Sequence, residues 1–208
     1  MTAKKQSTRV RREQIARAAL ALVGTQGLRG LTLAAVAHRV GLVPSAVYRH
    51  FAGKDEIIDA ALALIQEGLL EFVRSVREET SDAVSRLDKL LMRHVRMISE
   101  NRGIVQIVFS QDFGDGHADR RARLYRGVCR YLKEVSGIIR EGQAVGRIAR
   151  DVDPDAAAVL FLGLVHPPAL LWQMSEGEFD VAHQARRAWP LFARAIENAS
   201  FFAGGYGG

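Results

Sequence analysis

The sequence predicts an all-α protein in two parts, and three observations carry that prediction. Apolar residues recur at three- and four-residue intervals along most of the 208-residue chain, the spacing of one helix face. There are only five prolines, and no run alternates β-branched with polar residues as a half-buried strand would. Threonine, aspartate, glycine and proline punctuate the ends of the apolar runs, where helices start and stop. With 48% hydrophobic residues, the chain can fill one ample core or two small ones.

Residues 1–10 are basic and polar and are expected to form a flexible arm. A tightly patterned segment follows, from Leu31 to Phe51. Leu33, Val36, Ala37 and Val40 fall on one helical face, and Thr32 stands where a hydroxyl caps the first turn. Gly41 comes directly after the run, at the position where a chain leaves a helix in a left-handed conformation. Ala37 is small enough for a second helix to approach closely. Pro44 suits the first turn of that helix, since it needs no amide donor there. Val47 and Phe51, four apart, pack inward and leave Ser45, Ala46, Tyr48, Arg49 and His50 outward. A small residue, a turn glycine and a buried aliphatic at these offsets make a helix-turn-helix, whose second helix enters the major groove of DNA.

Beyond it the helices follow in turn. Residues 54 to about 79 form a long amphipathic helix with Ile57, Ile58, Ala61, Leu62, Ile65, Leu69, Phe72 and Val76 on its apolar side. Residues 81–100 form another through Leu87, Leu90, Leu91, Val95 and Ile98. Residues 103–111 are a short apolar segment, and Asp112–Gly116 a turn whose acids lack calcium-loop spacing. Residues 117–144 form a long basic helix that Gly146 ends. Asp153-Pro154 caps and starts a very apolar helix, 156–165. Its end at His166-Pro167-Pro168 must break or restart the helix. Residues 178–202 form the last helix and 204–208 a frayed tail, making about nine helices in all. The expected division is an arm (1–10), a DNA-binding domain (11–54), a helical effector-binding and dimerisation domain (55–203) and a tail.

Charge is distributed to match. Residues 1–55 hold ten basic and two acidic side chains, whereas the rest of the chain holds 19 basic and 21 acidic. The whole excess of positive charge therefore lies with the helix-turn-helix, as phosphate neutralisation requires. Arg49 is the only long fork on the second helix; such a fork suits guanine O6/N7 and a phosphate equally. Ser45 can pair with either kind of base edge, and Ala46 can touch a thymine methyl. Lys54, after Gly53 at a helix start, and the phenol tip of Tyr48 suit the phosphate backbone.

Residues from about Arg11 to Leu64 resemble the N-terminal domain of the tetracycline-repressor (TetR) family of bacterial regulators. The resemblance is carried by Ile15-Ala16-Arg17-Ala18-Ala19, Gly27, Leu31–Ala37 and Gly41–Phe51, with Lys54-Asp55-Glu56-Ile57-Ile58; the Tyr-x-His-Phe-x-x-Lys portion is the most specific. It implies phosphate contacts for Thr32, Tyr48, His50 and Lys54, and groove-facing roles for Val43, Pro44, Ser45, Ala46 and Arg49. Family members often carry serine where this chain has Pro44, and proline there offers a base neither a hydroxyl nor an amide.

Function classes follow. The expected reading is a homodimeric repressor that releases its palindromic double-stranded operator when a small, largely apolar molecule binds. The alternative is a DNA-binding structural or occlusion protein with no such effector. The apolar 156–165 helix and the last helix should supply a dimer face through Ala157, Leu160, Leu164, Trp189, Phe192 and Ile196. A four-helix contact of this kind is what the resemblance also implies. Candidate effector residues are Met92, His94, Phe109, Phe113, Tyr125, Cys129, Phe161, His166, Trp172 and Gln173, mostly apolar with a few polar handles.

Enzymatic readings fail on context. Gly24-x-x-Gly27-x-x-Gly30 follows a helix, not a strand. The six histidines and Cys129 lack metal-ligand spacing, and no serine sits in a nucleophile elbow. Neither cofactor nor metal is expected. One cysteine, no secretory-signal pattern and no run reaching about 18 apolar residues point to a cytoplasmic protein away from membranes.

Overall fold

The computed structural model describes residues 7–109 and 118–198. The expected loop 112–116 with Phe113, the lysines of the arm and the terminal tail lie outside the described residues. The helices are α1 (Thr8–Gly30), α2 (Leu33–Arg39), α3 (Pro44–Tyr48), α4 (Lys54–Glu79), α5 (Ala83–Glu100), α6 (Arg102–Val108), α7 (Ala118–Ala144), α8 (Pro154–Gly163), α9 (His166–Met174) and α10 (Val181–Ile196). The fold is all-α: no strand occurs among the described residues, only an isolated antiparallel bridge between Ile148 and Glu197.

The chain forms two compact units. One takes the residues up to Glu67 together with Glu100–Leu124; the other takes Gly68–Ser99 and the residues from Tyr125 onward. The sequence places the border between its DNA-binding and effector domains after residue 54. The N-terminal unit instead includes the first half of α4, all of α6 and the start of α7.

A glycine crossing explains why α6 belongs there. Gly103 lies so close to α1 that a Cβ on it would sit 2.0 Å from the Leu20 carbonyl oxygen, and one on Gly24 would sit 3.0 Å from the Gly103 nitrogen. Gly27 then kinks α1 with φ 69°, a left-handed value that suits glycine. The glycines whose spacing superficially matches a phosphate loop thus serve a helix crossing and a kink. Ile15, Ala19, Leu20 and Val23 of α1 are buried in this unit with Val36, Val47, Phe51, Ile57, Ala61 and Ile104.

The C-terminal unit buries Val76, Leu87, Leu90, Leu91, Tyr131, Val135, Ile138, Ile139, Phe161 and Ile196. Buried ion pairs would be costly, but these stand at its margin. Arg77 bridges Glu134 (2.7 Å) and Glu141 (2.9 Å), and Arg147 bridges Asp82 and Glu197, both at 2.9 Å. Asp153 caps α8, its carboxylate accepting from the amides of Asp155 (2.8 Å) and Ala156 (3.1 Å). The prolines after α8 restart a helix. Pro167 and Pro168 occupy the first turn of α9, where the missing amides have no intrahelical partner to lose. α10 is shorter than expected, starting at an Asp180 cap and ending where Glu197 turns extended to reach Ile148.

Residues Pro154–Met174 have a mean hydropathy of 1.5 and are, by length and composition, apolar enough to cross a membrane. Chain folding divides this stretch into α8 and α9, and 33% of its most apolar 18 residues are buried.

Candidate nucleic-acid interface

The interface is built from α2, its turn and α3. The Thr32 hydroxyl accepts from the Ala35 amide at 3.1 Å, capping α2. Gly41 takes φ 68°, and the Leu42 amide then closes the turn on the Ala37 carbonyl at 2.9 Å. Pro44 opens α3, which is one short helix of five residues. Val47 and Phe51 are fully buried behind it, so the outward face is fixed by packing. Thr32, Val43, Pro44, Ser45, Tyr48 and Arg49 are exposed, with Val43 at 64% and Tyr48 at 60%, unusual for residues of their size. Ala46 differs from expectation. It is buried, because at one residue from Val47 its small Cβ falls on the packed side of so short a helix.

Cations of the N-terminal unit divide into engaged and free. Arg9, Arg29, Arg39 and Arg49 make no ion pair or side-chain hydrogen bond among the described residues, which leaves their charge for an external anion. Lys54, expected on a phosphate, donates to the Leu28 carbonyl at 2.6 Å and so ties the start of α4 to the exit of α1. His50 is half-buried, and its Nδ1 is enclosed without a partner.

Arg12 of α1, absent from the sequence candidates, organises the back of the interface. Its guanidinium lies 4.1 Å over the Phe51 ring, donates to the His50 carbonyl, and pairs with Glu56 at 2.8 Å. Glu56 also accepts from the Ala52 amide at 2.8 Å, and this bond, then Arg12, holds its carboxyl below the usual range. No spacing rule links residues 12, 50 and 56, so only a family-wide pattern could have flagged them.

The expected effector residues separate into groups. His94, Tyr131 and His166 come together in the C-terminal unit. The Tyr131 hydroxyl lies 3.4 Å from His94 Nδ1, and the His94 and His166 ring centroids are 6.1 Å apart, edge to face. Burial holds His94 down to about 3, with the nearby His166 adding to the effect; burial also lowers His166 and raises Tyr131. All three are therefore uncharged near neutrality. Phe161 is buried against Phe192, ring centroids 5.9 Å apart. Met92 and Trp172 are half-buried, whereas Tyr125, Cys129 and Gln173 are exposed and Phe109 belongs to the N-terminal unit. The expected dimer residues split similarly. Ala157, Phe192 and Ile196 are buried in their own unit, Leu164 and Trp189 are half-buried, and Leu160 is 65% exposed. Val159 (57%) on α8 and Leu191 (66%) on α10 are apolar and outward as well.

Two family models match the chain. One, described as bacterial regulatory proteins of the tetR family, spans residues 15–61. The other, described as the C-terminal region of YsiA-like protein, spans residues 65–195. A nucleoid occlusion factor SlmA from Sodalis glossinidius is 25% identical over 94% of this chain and 100% of its own length. The fatty acid degradation regulator FadR of Bacillus halodurans has a similar structure, with a TM-score of 0.73 at 19% identity, covering 92% of this chain and 97% of that one. FadR of Bacillus subtilis, solved in complex with stearoyl-CoA, gives a TM-score of 0.71 at 20% identity, covering 88% and 98%.

Proposed function

Because the chain belongs to the TetR family of bacterial regulators, we propose that it is a homodimeric transcriptional repressor whose operator is released by a small, largely apolar ligand. DNA binding is common to the family. The observation that carries this chain's own version is the face of α3: two large exposed side chains, Val43 and Tyr48, beside an unpaired Arg49, all backed by fully buried Val47 and Phe51. Ser45, Arg49 and the apolar Val43 and Pro44 meet bases; Thr32, Tyr48, His50 and Lys54 meet phosphates. A protein that acts on DNA in this way works in the cytoplasm.

Dimerisation is supported by Val159 and Leu160 on α8 and Leu191 on α10, apolar side chains that each stand more than half exposed on the two helices expected to pair. The effector reading is supported by the uncharged His94–Tyr131 pair and His166, polar groups set in an apolar interior. Such a site suits a mainly hydrocarbon molecule with a carbonyl or hydroxyl. The test pairs thermal shift with DNA release, using long-chain acyl-CoA thioesters and steroid ketones as probes. A ligand that binds the folded protein and not the operator complex raises the melting temperature and frees DNA together, by linkage. Stabilisation without release sinks the repressor mechanism.

A second reading keeps DNA binding and drops the effector. It is favoured by the near full-length similarity to a nucleoid occlusion factor. In that case sites recovered by chromatin capture would be dispersed around the chromosome rather than placed at one or a few promoters.

A further inference from the structure

Arg120, in the first turn of α7, is a buried cation outside the DNA face and outside the effector cluster. Its side chain is 5% exposed. Its Nε donates to Asp59 at 2.8 Å, and its Nη2 donates to the Asp55 carboxylate at 2.8 Å and to the Asp55 carbonyl at 3.1 Å. Arg123, one turn on, pairs with the other Asp59 oxygen at 2.6 Å. Burial alone would raise Asp59, yet the bonds from Arg120 and Arg123 outweigh it and keep the carboxyl below its usual range. A planar fork spanning two carboxylates four residues apart fixes orientation as well as charge, which an ammonium cannot do.

What the fork holds is the first turn of α4, and that turn is bonded to the exit of α3. Glu56 accepts from Ala52, Lys54 donates to Leu28, and Arg12 joins Glu56 to the His50 carbonyl.

We propose that Arg120 is a positioning residue for sequence recognition: it holds the first turn of α4, and through it α3, in the orientation that reads bases. The proposal rests on the DNA-binding reading and not on the effector. Arg120 touches no DNA, so it governs base readout without contributing to phosphate neutralisation.

The experiment first selects a preferred duplex from random-sequence DNA with the full-length wild-type chain. Affinities for that duplex and for a scrambled one are then measured at fixed salt by fluorescence anisotropy, with melting curves alongside. Arg120→Met should weaken the selected duplex about tenfold while leaving scrambled DNA within about twofold, a coupling of ordinary allosteric size. Arg120→Lys, which keeps the charge and loses the fork, should fall between. Asp55 and Asp59 are 69% and 30% exposed, so their loss of a partner is solvated and a cooperative melt should persist. Should Arg120→Met fail to fold, Asp59→Ala removes one arm of the fork and should still lower the ratio of the two affinities. An unchanged ratio in a folded variant, or an equal loss on both duplexes, overturns the proposal. A wild-type chain that selects no sequence overturns the DNA reading itself.

Discussion

The two units place their chemistry by opposite means. In the N-terminal unit the side chains proposed to meet DNA lie within one stretch, Thr32 to Lys54, and short-range offsets decide which of them point out. In the C-terminal unit the polar cluster joins residues 94, 131 and 166, contributed by three helices that are remote in sequence. A local site is dictated by helix period and turn chemistry, whereas a dispersed one is dictated by packing. The first therefore presents its residues outward to solvent, and the second turns its residues inward as uncharged hydrogen-bonding groups.

The largest expected effect breaks the N-terminal unit alone. Gly103→Ala puts a Cβ 2.0 Å from a backbone oxygen of α1, which cannot move aside, and should cost about 3 kcal/mol of stability. Gly142→Ala in the C-terminal unit meets the side chains of Ile148 at 2.6 Å and Ala83 at 2.8 Å. Ile148 can turn partly away, so this change should cost less, about 1 kcal/mol. Chemical denaturation followed by circular dichroism gives both values; equal losses would mean that the α1–α6 crossing is not the tighter one.

Next in size is the DNA face. Arg49→Ala should cost about 1–3 kcal/mol on the preferred duplex and relax preference at one position. Lys54→Ala should weaken every sequence and reduce the salt slope by about one. Because Lys54 also holds the α1 exit, its loss should lower the melting temperature slightly, which Arg49→Ala should not. Binding curves against salt separate the two. Identical slopes for wild type and Lys54→Ala would remove Lys54 from the phosphate set.

Acid should separate the units with the smallest signal. His94 and His166 stay neutral when folded because burial depresses them, and an unfolded histidine titrates near 6.5. The unfolded chain then binds more protons below that value, so stability is complete above pH 6.5 and falls as pH drops toward 3. Glu56 and Asp59 are also depressed, but from 4.5 and 3.8, so the N-terminal unit begins to lose stability only below about that range. Hydrogen exchange at pH 5 against pH 7 should show faster opening around α5 and α9 than around α1 and α3. His94→Phe should flatten the difference, and no flattening would assign it elsewhere.

Much of the helix order was legible, and so was the geometry of the helix-turn-helix, for a common reason. The α2 cap at Thr32, the left-handed Gly41, Pro44 at the start of α3 and the buried Val47 and Phe51 each follow from a rule acting over a few residues. Ala46 shows where that logic stops. Its face depended on how deeply a five-residue helix sinks into its neighbours, and packing buried it. The same holds for Ala157, Phe192 and Ile196, whose apolar character did not say whether they faced their own core or a second copy. Tyr125 and Cys129 had the composition of a pocket wall but lie on the exposed side of α7.

By itself, then, the sequence determined an all-helical chain with a helix-turn-helix carrying all the excess positive charge. Caps, turns and period are set by bonds between residues that are near in the chain. Only the tertiary structure decided that α6 joins the N-terminal unit through Gly24 and Gly103, that Arg12 and Arg120 both bind the start of α4, and that His94 meets Tyr131 and His166. Those contacts link residues about 35 to 80 positions apart. No local rule reaches that far; they form only when burial of apolar faces brings the helices together.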